Sequence, residues 1–140
     1  MQRVADTATP TVAVLGDPTQ VTGLARQLPT AWRVLPAPSI DCVRPGDLVL
    51  LICPQVDTVG PTHRRLPAGC TLVVLVEHDA AAAAIADILQ AGADVCVRAG
   101  STAILAGHLV ACHRRASRPP SPAVERTAVL AGAERLAVTR

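Results

Sequence analysis

The sequence predicts an α/β domain built on a five-stranded parallel sheet with helices on both faces. Three observations carry that expectation. Five short apolar runs recur along the chain, each followed by a helix or a helix-sized connection, the rhythm of parallel strands joined by crossovers. The runs are nearly continuous in apolar residues, as strands buried on both faces require. Half of the 140 residues are hydrophobic, yet Phe and Tyr are absent and Trp32 is the single Trp, so the core must be built from Ala, Val and Leu. A chain of this length buries such a core as one domain without disulfide or metal staples.

The elements follow in order. Residues 1–10 are polar, end in Pro10 and are expected to form a loose arm. Thr11–Leu15 is a buried strand stopped by Gly16-Asp17-Pro18. From Pro18 to Leu28, the residues Val21, Leu24, Ala25 and Leu28 recur at i, i+3, i+4 and i+7 and predict a helix packed on the sheet, weakened by Gly23. Trp32–Leu35 is the second strand. The stretch 36–46 holds three prolines and supports only a brief helix around Ser39–Val43. Asp47–Cys53 is the clearest buried strand, halted by Pro54. In Gln55–Ala68, Gly60, Pro61 and Pro67 predict a short or broken helix. Thr71–Val76 is the fourth strand.

His78–Ala91 carries five consecutive alanines and then Ile85, Ile88 and Leu89 on one face, a helix closed by Gly92. Asp94–Val97 is the fifth strand. Ser101 offers a hydroxyl cap to a last helix, Ser101–Arg115, with Ile104, Leu105, Leu109 and Cys112 turned to the sheet and arginines in its final turn. Residues 117–123 read as a Pro- and Ser-rich linker. Residues 124–140 form a tail without a sustained helix face.

Composition excludes several functions. The thirteen basic residues are all arginine. Coding bias of a GC-rich genome and loss of a lysine-dependent chemistry both account for the missing lysine. A net charge of +2 is too small to predict nucleic-acid binding, and Arg114, Arg115 and Arg118 beside His113 fit a solvated helix end. Five cysteines without a CxxC pair, several in apolar runs, fit reduced thiols in a cytoplasmic protein. No apolar run reaches membrane-spanning length.

This order of elements resembles the receiver domain of bacterial response regulators, a flavodoxin-like fold, over about residues 11–115. Asp47-Leu-Val-Leu-Leu51 is similar to that family's third strand. Leu72-Val-Val-Leu-Val76, followed by Ala91-Gly-Ala-Asp94, is similar to its fourth strand and to the turn into its fifth. The resemblance implies strand order 2-1-3-4-5 and a domain of residues 11–116. It also implies a phosphorylation pocket at the carboxyl ends of the strands, and here the chain departs from the family. Gly16-Asp17 stands where two acids hold Mg²⁺, an ion that demands hard oxygen ligands. Ile52 replaces the phosphoaccepting aspartate, the carboxylate nucleophile of the transfer. Val76 replaces the coupling hydroxyl. Arg98 or Ala99 stands at the lysine, and arginine is not its geometric equivalent. Gly16, Asp17, Ile52, Val76 and Arg98 are therefore expected to line a degenerate pocket that neither binds metal nor accepts a phosphoryl group.

Other constellations are weaker. The single glycine after the first strand does not make a phosphate-binding loop. Glu77, His78 and Asp79 are explained by a helix-starting turn. Cys112 and His113 are adjacent on a helix and do not converge on one ion. His108 is expected to be a half-buried core residue. No catalytic residue, metal or cofactor is assigned.

The expected function is a phosphorylation-independent regulatory interaction module. By the resemblance, the fourth helix, fifth strand and fifth helix would contact a protein partner or a second copy, with Asp94, Arg98, Leu105, His108 and Arg115 in the interface. No direct nucleic-acid or membrane contact is expected. The tail weakly resembles the start of a winged-helix output domain and reads equally as a loose end. The alternative function is a small flavodoxin-like enzyme or ligand-binding protein using the crevice at the strand ends.

Overall fold

The computed structural model describes residues 9–117. Five strands, β1 (Thr11–Leu15), β2 (Arg33–Pro36), β3 (Leu48–Ile52), β4 (Thr71–Val76) and β5 (Val95–Arg98), form one sheet in the order β2-β1-β3-β4-β5. Every pairing is parallel. Four helices accompany them: α1 (Leu24–Gln27), α2 (Val56–Arg65), α3 (Ala82–Ala91) and α4 (Thr102–Ser117). The expected fold class and strand order are those observed. Most of the arm, most of the linker and all of the tail lie outside the described residues. No described helix is long and apolar enough to cross a membrane.

The register divides the core in two. Val12, Val14, Leu48, Leu50, Val73, Leu75 and Val97 project to one face, where Leu24 of α1 and Leu105, Leu109 and Cys112 of α4 cover them. Ala13, Leu15, Val49, Leu72, Val74 and Val76 project to the other, under Val59 of α2 and Ile88 of α3. Residues one apart in a strand serve opposite faces, so the apolar runs must be continuous. Leu50 and Val49 are both fully buried for this reason.

Several local expectations need correction. The helix predicted over Pro18–Leu28 is a 3₁₀ turn, Pro18–Val21, followed by the four residues of α1. Gly23 between them sits at φ +88°, a left-handed conformation that interrupts the helix. Val21, Leu24 and Leu28 are buried as the pattern implied, but Ala25 is exposed. Conversely, α2 runs unbroken through Gly60 and Pro61. Pro61 removes one N–H and would leave the Asp57 carbonyl unpaired, yet Asp57 is exposed and water can satisfy it. Favourable ends add to that tolerance: Asp57 lies in the first turn and His63, Arg64 and Arg65 in the last.

The crossover from β2 to β3 contains only the 3₁₀ turn Ile40–Cys42, started by Ser39, whose Oγ accepts from the Asp41 N–H at 3.2 Å. Prolines 36, 38 and 45 prevent a longer helix. The helices expected fourth and fifth in chain order are therefore α3 and α4. Helix α3 starts at Ala82 rather than His78 and ends at Gly92, which donates to the Leu89 carbonyl at 3.2 Å. Leu89 and Ile104, both expected to face the sheet, are 42% and 62% exposed. His108 is exposed as well, not half-buried, and so is Cys53.

At the outer edge of the sheet, the Arg33 and Ala37 N–H groups donate to the carbonyls of Pro10 and Val14. Alternate positions 34 and 36 therefore point their backbone nitrogens away from the sheet, and position 36 is a proline.

Candidate functional site

The carboxyl ends of β1, β3, β4 and β5 carry Gly16, Asp17, Ile52, Val76 and Arg98, the residues expected to line a degenerate pocket. After Leu15 the chain bends at Gly16, φ +118°, and passes directly over the end of β3. A Cβ at position 16 would lie 2.9 Å from the Ile52 Cβ and 3.3 Å from the Ile52 carbonyl oxygen. Only glycine permits both that backbone angle and that approach. Ile52 itself is 7% exposed and belongs to the core beneath α1 and α4. Position 52 is thus sealed by backbone above and apolar side chains below.

Asp17 is drawn elsewhere. Its Oδ1 accepts from the Thr19 hydroxyl at 2.7 Å and the Thr19 N–H at 3.0 Å, capping the 3₁₀ turn. Those bonds, the hydroxyl's first, hold the carboxyl below its usual range. Val76 is buried at the end of β4, in register with Arg98 of β5. The Arg98 side chain crosses to the turn before α3, where Nη2 and Nε donate to the Ala80 carbonyl at 2.9 and 3.3 Å. Glu77, His78 and Asp79 are exposed in that turn, which the Ala80 N–H closes on the Glu77 carbonyl at 3.1 Å.

Cys53 is an additional member that the sequence pattern did not single out. It is exposed, has φ +43°, and donates its N–H to the Leu75 carbonyl at 2.7 Å. Burial of the sulfur and then the nearby Glu77 carboxylate push its thiol up, which suppresses the nucleophilic thiolate. Its position between Ile52 and Pro54 carries no sequence signal for this backbone conformation. Among the described residues, no three His, Cys, Asp or Glu side chains come together as a metal site.

The residues expected at an interface separate into groups. Asp94 lies at the opposite, amino end of the sheet, where its Oδ2 accepts from the Leu72 N–H at 2.8 Å. Leu105 is 3% exposed and packs in the core, as its expected sheet-facing position implies, which removes it from the expected interface set. His108 and Arg115 are exposed and, with Ile104, recur at i, i+4 and i+11 along one side of α4. The Arg115 Nη2 reaches the Cys112 sulfur at 3.4 Å. Leu89 extends the Ile85 side of α3, away from the side on which Ala91 approaches Gly60 of α2. The sequence pattern misplaced Ile104 because the buried row of α4 is Leu105, Ala106, Leu109 and Cys112, one flank further round.

Two outcomes follow from this geometry. Gly16→Ala should destabilise the fold by about 1–3 kcal/mol in chemical denaturation, since it combines a disfavoured φ with overpacking on Ile52. Asp17 should titrate below a free aspartate in a carbon-detected NMR titration, and Thr19→Val should raise its pKa. Because the folded value is depressed, the cap's contribution is fully present above the unfolded pKa and is lost as pH falls through the folded one.

No protein-family model matches the sequence, and no curated protein matches it. Among solved structures, the chain is similar to a CheY-like protein, tadZ, from Pseudomonas aeruginosa PAO1, with a TM-score of 0.53 and 19% identity over 81% of this chain and 98% of that one. With the strand order and the helices on both faces, this likeness identifies the architecture: the chain has the CheY-like, flavodoxin-like receiver fold.

Proposed function

We propose that the chain is a receiver-like regulatory domain of a cytoplasmic signalling system that works through protein contacts rather than phosphorylation. The contact between Gly16 and Ile52 carries this reading. A phosphoryl pocket needs an attacking carboxylate and a metal held by neighbouring acids at that place. Here the backbone closes over an isoleucine, and Asp17, the acid after Gly16, accepts from Thr19 through Oδ1. Val76 has no hydroxyl to couple a phosphoryl group to the β4–α3 turn. Arg98 already ties that turn down through the Ala80 carbonyl, so the turn has one anchored arrangement instead of two. The same apolar lining argues against an enzyme or a ligand-binding protein using the crevice, since Ile52 and Val76 offer a substrate no orienting polar group.

The outlet for regulation is the surface of α3, β5 and α4. Leu89 and Ile104 are two of the four large apolar side chains most exposed among the described residues. His108, Arg115 and Arg98 supply a polar rim around them, the make-up of a modest protein interface. A second copy or another signalling protein docks there.

Beryllofluoride with Mg²⁺ should leave the amide spectrum unchanged; saturable shifts at residues 16, 52, 76 and 98 would refute the reading. Sedimentation should show association that rises with concentration, or a partner retained on pull-down. Ile104→Glu should weaken either contact about tenfold or more, the effect of a central apolar anchor, with an unaltered melting temperature. A monomer at all concentrations with no partner retained would sink the proposed outlet.

A further inference from the structure

The shortened crossover between β2 and β3 leaves part of the sheet uncovered, along β2 and the neighbouring part of β1, at residues separate from those of the pocket described above. Where a full helix would lie, the single turn Ile40–Cys42 stands aside and a pocket of 220 Å³ opens over β1 and β2. Its floor is Thr11 and Ala13 of β1 with Leu35 of β2, all odd-numbered positions on one face of the sheet. Leu35 is 42% exposed because nothing among the described residues covers it. Arg33 borders the floor on the strand side and Arg44 on the loop side, with Asp47 beside Arg44.

The two arginines are held by their backbones, and their tips are exposed. The Arg33 N–H donates to the Pro10 carbonyl at 3.0 Å and fixes the start of β2. Arg44 is pinned through both of its backbone polar groups: its N–H donates to the Asp47 Oδ2 at 3.0 Å and its carbonyl accepts from the Cys70 thiol at 3.2 Å. Neither guanidinium has a described carboxylate within 4.0 Å, whereas Arg65 at the neighbouring helix end pairs with Asp41 at 2.9 Å. Two permanently charged forks therefore face one partly engaged carboxylate across an apolar floor, a surplus of positive charge with planar donors.

We propose that this pocket binds a small organic anion, a carboxylate or phosphate monoester carried on a short apolar body. The apolar body replaces the missing helix against Ala13 and Leu35, and the anionic group bridges Arg33 and Arg44. The pocket is smaller than the roughly 300–1,000 Å³ that holds drug-sized ligands, so the ligand is of fragment size. Binding covers the β2 side of the sheet and so adds a ligand-sensing function to the domain, independent of the phosphoryl pocket and of the α3–β5–α4 surface.

Amide-detected NMR titrations of the full chain with phenyl phosphate, benzoate, inorganic phosphate and benzyl alcohol test this. Phenyl phosphate or benzoate should give saturable shifts at Thr11, Leu35 and Arg44; inorganic phosphate should bind at least tenfold more weakly and benzyl alcohol should leave these amides in place. The double variant Arg33→Gln/Arg44→Gln should lose at least tenfold in affinity with an unchanged melting temperature, as both side chains are exposed. Leu35→Glu, which puts a carboxylate on the floor, should abolish binding while keeping the strand. Shifts spread over unrelated arginines, equal response to benzyl alcohol, no saturable binding by either aromatic anion, or undiminished affinity in the double variant would overturn the proposal.

Discussion

Burial of the sheet on both faces is the constraint from which the rest of the structure follows. β3 is hydrogen-bonded to β1 and β4 and covered above and below, so its residues have no polar environment to meet. Each face then needs its own helical layer, and the right-handed crossovers of a parallel sheet deliver α1 and α4 to one and α2 and α3 to the other. A core of Val and Leu with no Phe or Tyr fits this arrangement, because thin, branched side chains let helices sit close to both sides.

That constraint explains what was legible from the amino acids. Thr71–Val76 was bounded correctly, and Leu48–Ile52 nearly so, because nothing but a doubly buried strand accounts for such runs. Ser101 was correctly placed as a cap, and its Oγ accepts from the Ile104 N–H at 3.2 Å. Helices at the rim were harder. A 3.6-residue period over Val21, Leu24 and Leu28 survives when the backbone makes a 3₁₀ turn, a left-handed glycine and one short helical segment, because all three still present those side chains to the sheet. Pro61 misled in the opposite direction, since its cost depends on whether the orphaned carbonyl faces water.

The carboxyl edge was legible in identity but not in conformation. Replacement of an acid by Ile52 is plain in the sequence. That Gly16 lies against it, that Asp17 turns to Thr19 and that Arg98 crosses to Ala80 are tertiary facts with no local signature. The exposure of Leu89 and Ile104 belongs to the same category: each lies next to a buried neighbour on its helix, and one position, about 100° of rotation, separates core from surface.

The two rims of the sheet differ in a way that bears on assembly. On the β2 side, the outward backbone nitrogen at position 36 belongs to a proline and has no hydrogen to give, so strand addition there is blunted. The β5 rim carries no proline within Val95–Arg98. Among the described residues, backbone pairing between sheets therefore meets a missing donor at one rim and no such interruption at the other, so any such pairing is disfavoured on the β2 side.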